Sequence, residues 1–406
     1  MIAWHVYPLG FAGAPVWGAR VPDGPAPRLS WITAWVDYAA DLGVDTLSLG
    51  PVFASRTHGY DTVDYFQIDA RLGTEDEFDQ FIATAHDHGL RVLIDGVFNH
   101  VGNEHPLYQR ALQLDPEASG YFRWVDGHPQ VFEGHGDLIA LNHDAPCVVT
   151  LVQDVLRHWM RRGVDGWRLD AAYATGADFW ARVLPDVRAE FPGSYFFGEV
   201  IHGDYVDFVK RSGVDSVTQY ELWKAIWSSI HDRNFFELSW TMKRHAALLD
   251  SFTPVTFIGN HDVTRIASQV GQEGAAVALA ILMTVGGSPH IYYGDEQGFV
   301  GVKEERFGGD DAIRPAFPHT PGELAPSGWW LFNLHQELIR VRRDRPWLER
   351  ATCVAEVLEN TRLTYRAERT DNPGEYIRVA LDLTDASHPS VHITDGGNAR
   401  LVTYQG

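Results

Sequence analysis

The chain has 406 residues, with 54 acidic and 33 basic side chains and a formal net charge of -21. Nucleic-acid backbones and anionic lipids attract basic surfaces, so this charge argues against both as partners. Hydrophobic residues make up 45% of the chain, which is enough for a large core, and two cysteines are too few for a disulfide framework.

The dominant pattern along the chain is a short aliphatic or aromatic strand followed by an amphipathic helix. Eight strands are predicted, at residues 4–7, 46–49, 91–94, 166–169, 195–197, 216–218, 255–258 and 290–293. Helices are predicted between and after them, at residues 31–41, 75–88, 148–162, 235–249 and 329–343. Alternating strands and helices form parallel sheets, and eight strands close a barrel. The predicted fold class is α/β, a (β/α)8 TIM barrel.

Two regions depart from this repeat. The interval from Asp95 to Asp170 is more than twice the ~30 residues that one βα unit needs, so residues 100–146 are predicted to be a subdomain inserted after the third strand. Beyond residue 344 the pattern alternates with period two, which predicts a small antiparallel β domain, sandwich-like, over 345–406. The barrel then comprises residues 1–99 and 147–344.

Neither apolar stretch of the chain is interpreted as a membrane or export signal. The N-terminal one is interrupted by Pro8 and Pro15, so it is interpreted as the first strand and loop rather than a signal peptide. The run at 275–283 is shorter than the ~18 residues that a bilayer span requires. The sequence therefore predicts no membrane association and a cytoplasmic location.

Polar residues gather where the predicted strands end. They occur in the segments His58-Gly59-Tyr60-Asp61, DGVFNH (95–100), GWRLD (166–170), FGE (197–199) and NHD (260–262). Any one of them has a plain structural alternative as a helix cap or a turn residue. Because the carboxyl ends of barrel strands meet at one mouth, the whole set predicts an active site there.

These segments resemble the α-amylase family of glycoside hydrolases. DGVFNH, GWRLDAAY, FGEVIH and FIGNHD are similar to that family's four ordered signature regions. HGYDTVDYFQIDARLGT resembles the segment that precedes them, and SPHIYYGDEQG resembles the eighth strand. The resemblance runs from residue 1 to about 300 and implies a hydrolase of α-glucosidic bonds that retains the anomeric configuration.

The residues themselves support two catalytic roles. Asp170 lies two residues after Arg168, so the two side chains point the same way from a strand and the guanidinium favours an ionised nucleophile. Glu199 stands among Phe196, Phe197 and Val200, and apolar surroundings suit a carboxyl group that must be protonated to act as general acid.

The resemblance implies the same two roles and adds others. Asp262 is the third carboxylate, which binds sugar hydroxyls and favours the distorted transition state. The substrate-binding residues implied or predicted in addition to Arg168 are Tyr60 as a stacking platform, Asp61 beside it, His100 and His261 as hydroxyl-binding histidines, and His202 on the leaving-group side. The expected substrate and partner is an α-1,4-linked malto-oligosaccharide or soluble starch.

The chain also departs from the family pattern. Tyr173 and Ala174 stand where many members carry Lys-His, and Ala140 replaces an aspartate associated with calcium. Of the residues that the family associates with calcium, Asn99 alone remains recognisable, so we expect neither a metal nor another cofactor; a calcium site completed by Asp137, three residues before Ala140, stays open as the alternative. Two alternatives stay open: a transglycosylase or disaccharide-specific member of the family, and a catalytically inactive carbohydrate-binding protein.

Overall fold

Eight parallel strands form the centre of the computed structural model, which describes residues 1–17, 26–385 and 387–406. The strands are Ala3–Val6, Thr46–Leu49, Arg91–Gly96, Gly166–Leu169, Tyr195–Gly198, Ser216–Val217, Val255–Phe257 and Ser288–Tyr292. Spatial neighbours follow chain order, and the first strand pairs with the eighth. A parallel bridge between Thr218 and Val255 joins the sixth strand to the seventh and closes the barrel. The predicted fold class is confirmed.

Helices surround the barrel. The main ones are Arg28–Thr33, Val36–Leu42, Glu75–Asp87, Pro146–Arg161, Ala177–Glu190, Tyr205–Ser212, Tyr220–His231, Phe236–Leu249, Ile266–Thr284 and Trp329–Arg343. Short helical turns lie at Pro8–Phe11, Ala172–Thr175, Asp295–Gln297, Asp311–Ile313, Pro321–Glu323, Pro326–Gly328 and Pro346–Arg350. The prediction of one helix over 31–41 is wrong. The chain breaks at Ala34 and Trp35, where the Trp35 indole donates to the Pro318 carbonyl and packs edge-on against Phe11.

One helix is apolar around most of its circumference. Ile266–Thr284 has 19 residues and a mean hydropathy of 1.3, which by length and composition would suffice for a membrane span. Its residues from Gly274 to Thr284 are buried in the protein. The C-terminal sheet covers part of it, where the Tyr365 hydroxyl is 2.5 Å from Thr284 Oγ1. The helix is therefore a core helix of the barrel wall, which explains its composition.

Two loops at the carboxyl ends of the strands carry additional structure. After the second strand, Phe53–Ser55 and Thr62–Ile68 form an antiparallel hairpin. After the third strand, the chain forms helices Pro106–Leu112 and Pro116–Ser119 and strands His100–Gly102, Trp124–Val125, His128–Pro129, Val131–Phe132 and His135–Ala140. Both additions stand on the side of the barrel where the polar strand ends meet.

The C-terminal region is a single antiparallel sheet in chain order, Thr352–Leu358, Arg362–Arg369, Asn372–Asp382, Ser390–Asp395 and Arg400–Gln405. The predicted sandwich-like arrangement is wrong in the part of the chain that the structure describes. Alternate side chains such as Leu363, Tyr365 and Val379 are buried, and helices of the barrel supply the second layer. Period-two alternation marks a buried face but does not say what covers it.

Candidate active site

A buried guanidinium lies at the centre of the barrel mouth. Arg168 on the fourth strand is in register with Asp95 on the third, so their side chains are cross-strand neighbours. Arg168 Nη1 is 2.6 Å from Asp95 and 3.3 Å from Asp170, and its Nη2 is 2.9 Å from Glu199. Asp262 is 4.0 Å from the same Nη2. One arginine therefore gathers carboxylates from four strand ends.

Asp170, the predicted nucleophile, is only 7% exposed. Burial raises its pKa well above the usual carboxyl value, the negative charge of Glu199 raises it further, and Arg168 opposes both effects. Arg168 favours an ionised Asp170, as predicted, but burial and Glu199 outweigh it. Its guanidinium is shared, and its closest carboxylate is Asp95.

Glu199, the predicted acid, follows the fifth strand and is held at both oxygens. The backbone N–H of Ala171 donates to Oε2 at 3.0 Å, and the Tyr220 hydroxyl donates to Oε1 at 3.2 Å. Asn260 in turn donates to Tyr220, at 3.1 Å. Because Ala171 directly follows Asp170, the same short segment orients both predicted catalytic carboxyl groups.

Asp262 is held from the other side of the mouth. His261 Nε2 lies 3.0 Å from its Oδ2, and Arg314 Nη2 donates to its Oδ1 at 3.0 Å. Burial acts to raise the pKa of Asp262, but His261, Arg314 and Arg168 together hold it well below the usual value. Arg314 also pairs with Asp310 at 3.0 Å, so the loop after the eighth strand reaches the site.

Tyr60 contacts two residues of the cluster at the barrel mouth. Its hydroxyl donates to Asp95 at 3.0 Å and contacts His261 Nε2, and its ring is parallel to that of His261 at 5.3 Å. The structure therefore brings Tyr60, Arg168 and His261 together with the three predicted carboxylates.

Two further predicted residues lie at the edge of this cluster. His100 is 1% exposed; its Nε2 donates to the Tyr60 carbonyl at 3.0 Å, and Asn99 donates to its Nδ1 at 3.1 Å. His100 thus supports the main chain of Tyr60, and its contact with a sugar hydroxyl stays a prediction. Asp61 accepts from the N–H and hydroxyl of Thr57 and lines the outer cleft.

His202 lies outside the cluster. It is exposed on the loop after the fifth strand, with its ring 6.0 Å from that of Tyr173. The Tyr173 hydroxyl donates at 2.8 Å to Glu133 of the inserted subdomain. Tyr173, in contact with Glu133, therefore lies beside His202. The leaving-group role of His202 stays a prediction.

Next to Asp61 a cleft of about 800 Å³ opens to solvent. The inserted subdomain lines one side through residues 135–138, and the loop at 303–310 lines the other. Trp17 and Phe307 meet across its rim with ring centroids 4.4 Å apart. The site is thus a buried charged pocket that continues into a wider groove.

Sequence reasoning missed several residues of the site. Tyr220, Arg314, Asp95 and His5 all contact predicted residues. Asp95 stood at a predicted strand end, and His5 lay within a predicted strand. Arg314 ended a charged segment, but nothing in the sequence paired it with Asp262.

A sequence profile of the alpha amylase catalytic domain matches residues 27–323. With the barrel and the site geometry, this match shows that the chain belongs to the α-amylase catalytic-domain family, and the predicted family membership is confirmed.

Individual relatives agree with this assignment. The chain is 32% identical over 382 residues to a cyclomaltodextrinase of Geobacillus thermopakistaniensis, covering 86% of this chain and 63% of that protein. It is 32% identical over 329 residues to a 4-alpha-glucanotransferase of Thermotoga neapolitana, covering 72% and 70%. The structure of a cyclic alpha-maltosyl-(1→6)-maltose hydrolase from Arthrobacter globiformis is similar with a TM-score of 0.81 and 25% identity, over 94% and 90% of the chains.

The residues present do not fit the calcium site that the family resemblance implies. Asn99 directs its amide nitrogen to His100, and position 140 carries a methyl group. Asp137 lies nearby in sequence but accepts from Asn103 at 2.5 Å in the outer cleft. The described residues contain no group of three or more His, Cys, Asp or Glu side chains that could hold a metal ion.

A guanidinium holds the returning end of the inserted subdomain. Arg182, on the helix Ala177–Glu190, donates to the carbonyl of His143 and lies 3.5 Å from that of Asp144. The His143 ring donates to the Phe98 carbonyl at 2.9 Å. These contacts join the subdomain to the barrel.

A hard cation needs roughly six to eight oxygen ligands, and the positions described above do not supply such a set. We therefore expect exhaustive EDTA treatment to leave activity and melting temperature unchanged. The measurement is calorimetry before and after chelation, with added calcium as the control. A drop of several degrees that calcium restores would show that a metal site exists.

Proposed function

We propose that this chain is a retaining hydrolase of α-glucosidic bonds, acting on α-1,4-linked malto-oligosaccharides or soluble starch. The observation that carries the proposal is the sharing of one buried guanidinium by Asp170 and Glu199, with Asp262 at its edge. Glycoside hydrolysis with retention needs two closely spaced carboxyl groups, one ionised and one protonated.

The retaining mechanism gives the two groups distinct steps. Asp170 attacks the anomeric carbon, and Glu199 gives its proton to the departing glycosidic oxygen, so the C–O bond breaks as the glycosyl-enzyme bond forms. Glu199 then accepts a proton from water, which attacks the anomeric carbon and releases Asp170. Asp262, ionised by its contacts with Arg314 and His261, stabilises positive charge on the sugar ring.

The substrate class rests on the relatives and on the groove. Proteins named cyclomaltodextrinase and maltogenic alpha-amylase are among the relatives, and both names describe enzymes that act on maltose-type glucans. The groove beside Asp61 is bordered by aromatic and polar side chains, which together bind sugar faces and hydroxyls. A chain of several glucose units fits this combination.

We expect NMR of freshly formed products to show the α-anomer first. Two successive inversions at the anomeric carbon restore its configuration when the carboxyl groups are about 5 Å apart rather than 6.5–9.5 Å. Maltoheptaose is the substrate, and the mutarotated product at equilibrium is the reference spectrum. Initial β-anomer would overturn the assignment of Asp170 as nucleophile.

Transglycosylation is the second candidate function, favoured by the similarity to a 4-alpha-glucanotransferase. It uses the same covalent intermediate and differs in whether water or a sugar hydroxyl resolves it. A product profile on maltoheptaose, with and without added glucose, distinguishes the two. Products longer than maltoheptaose that give way to shorter transfer products when glucose is added support transfer, whereas shorter products whose pattern glucose leaves unchanged support hydrolysis.

A further inference from the structure

A buried histidine outside the predicted site contacts one of its members. His5 lies on the first barrel strand, is 5% exposed, and stands edge-on against Tyr292. Its Nε2 is 3.1 Å from Nδ1 of His261. Two ring nitrogens at this distance share one hydrogen, so one imidazole donates and the other accepts.

The partners of His261 Nε2 decide which ring donates. The Tyr60 hydroxyl gives its hydrogen to Asp95, so its oxygen accepts from His261. On the other side, Asp262 is a carboxylate paired with Arg314, and a carboxylate only accepts. His261 Nε2 therefore carries a hydrogen. In a neutral imidazole the other nitrogen, Nδ1, is then an acceptor, and His5 must donate to it.

A neutral His261 agrees with its surroundings. Its ring is stacked on those of Tyr7 and Tyr60 and is 1% exposed, and Arg314 already pairs with the neighbouring Asp262. A second cation against that one carboxylate would add a buried charge without a partner of its own. Burial also lowers the pKa of His5 well below the usual value, which leaves His5 neutral with one hydrogen to donate.

We propose that His5 is a positioning residue: its Nε2–H donates to Nδ1 of His261 and holds His261 in the neutral form, with the hydrogen on the Nε2 that faces the Tyr60 hydroxyl and Asp262. These contacts link His5 through His261 to Asp262, from the first strand to the end of the seventh. Together with Arg314, His261 holds a carboxylate that the proposed function places beside the sugar ring. The inference about activity rests on that proposed function, whereas the inference about the hydrogen positions does not.

Two variants of His5 distinguish the loss of its hydrogen-bond donor from the loss of the volume that its ring fills. His5→Leu removes the donor, so His261 Nδ1 loses its partner and the contact of His261 with Asp262 loses its support, while Arg314 still holds the other oxygen of Asp262. His5→Gln keeps an N–H donor on a flexible side chain. We expect kcat to fall about 10- to 100-fold in His5→Leu, the range typical of removing the hydrogen-bond partner that orients a metal-ligating histidine, with KM little changed. His5→Gln should recover most of the loss.

The control is His335→Leu, which removes another buried histidine. Among the residues that the structure describes, the His335 side chain bonds to the Leu331 carbonyl of its own helix and to no other group, so its loss tests general destabilisation. We expect kcat to be unchanged. If His335→Leu and His5→Leu lower kcat equally, or if His5→Gln is as slow as His5→Leu, the positioning role is wrong.

Nitrogen-15 NMR of the histidine rings tests the hydrogen positions without substrate. His261→Gln identifies the His261 signals. We expect wild-type His261 to be neutral with hydrogen on Nε2, and His5→Leu to shift its Nδ1 signal. A doubly protonated His261, or hydrogen on Nδ1, would overturn the proposal. If the NMR result is as expected but wild type cleaves no α-glucoside, the proposed function fails while the assigned hydrogen bonds stand.

Discussion

Glu199→Gln is expected to slow cleavage of substrates with poor leaving groups by about 10²–10⁴-fold, the usual contribution of a general acid. An activated leaving group, such as a nitrophenol, needs no proton, so its release in the first turnover should recover most of the rate. The measurement is pre-steady-state release from a maltosyl substrate with each kind of leaving group. Equal slowing of both would show that Glu199 is not the acid.

The same variant should change the pH profile. The wild-type reaction needs Asp170 ionised and one proton on Glu199, so its rate falls at both low and high pH. With Gln at 199 and an activated substrate, only Asp170 titrates. The rate is then lost as pH falls through the pKa of Asp170 and stays level at high pH. Because burial raises that pKa, the fall should lie above the ordinary value of about 3.9.

Tyr220→Phe is the matched control for Glu199→Gln. It removes the hydroxyl that donates to Glu199 Oε1 but leaves the carboxyl group able to give a proton. We expect a smaller loss that is similar for both leaving groups, and a bell-shaped pH profile. A variant that behaves like Glu199→Gln would move the role of acid away from Glu199.

Arg168→Met is expected to lower the free energy of unfolding by about 3–5 kcal/mol, the cost of leaving buried charges without a partner. Asp95, Asp170 and Glu199 would then lie close together with no guanidinium between them. Activity should be lost as well, because Asp170 would no longer ionise beside two other carboxyl groups. Urea denaturation followed by tryptophan fluorescence measures the stability.

The loss of unfolding free energy in Arg168→Met should depend on pH in one direction. Without Arg168, the buried carboxyl groups have raised pKa values in the folded protein, so the folded state is penalised as pH rises and relieved as pH falls. The difference in unfolding free energy between wild type and Arg168→Met should therefore become smaller at acidic pH. Combining Arg168→Met with Asp95→Asn should restore part of the stability but no activity. A deficit that is the same at acidic and neutral pH would show lost packing instead of unpaired charge.

Much of the fold and site was predictable from the sequence. Eight strand segments separated by helices imply a barrel, and the carboxyl ends of its strands must meet at one mouth. Asp170, Glu199 and Asp262 each end or follow such a strand, so their convergence follows from topology. Arg168 and Asp170 share a face because side chains two residues apart on a strand point the same way.

The tertiary structure alone decided which side chains complete that site. Arg314 reaches Asp262 from a loop 52 residues away in sequence, and His5 reaches His261 across 256 residues. It also decided that helices of the barrel cover the C-terminal sheet, where Tyr365 meets Thr284. Periodicity reports the spacing of residues along one segment. The pairing of particular polar atoms depends on how distant segments pack, because burial in a shared pocket makes each donor and acceptor need a partner.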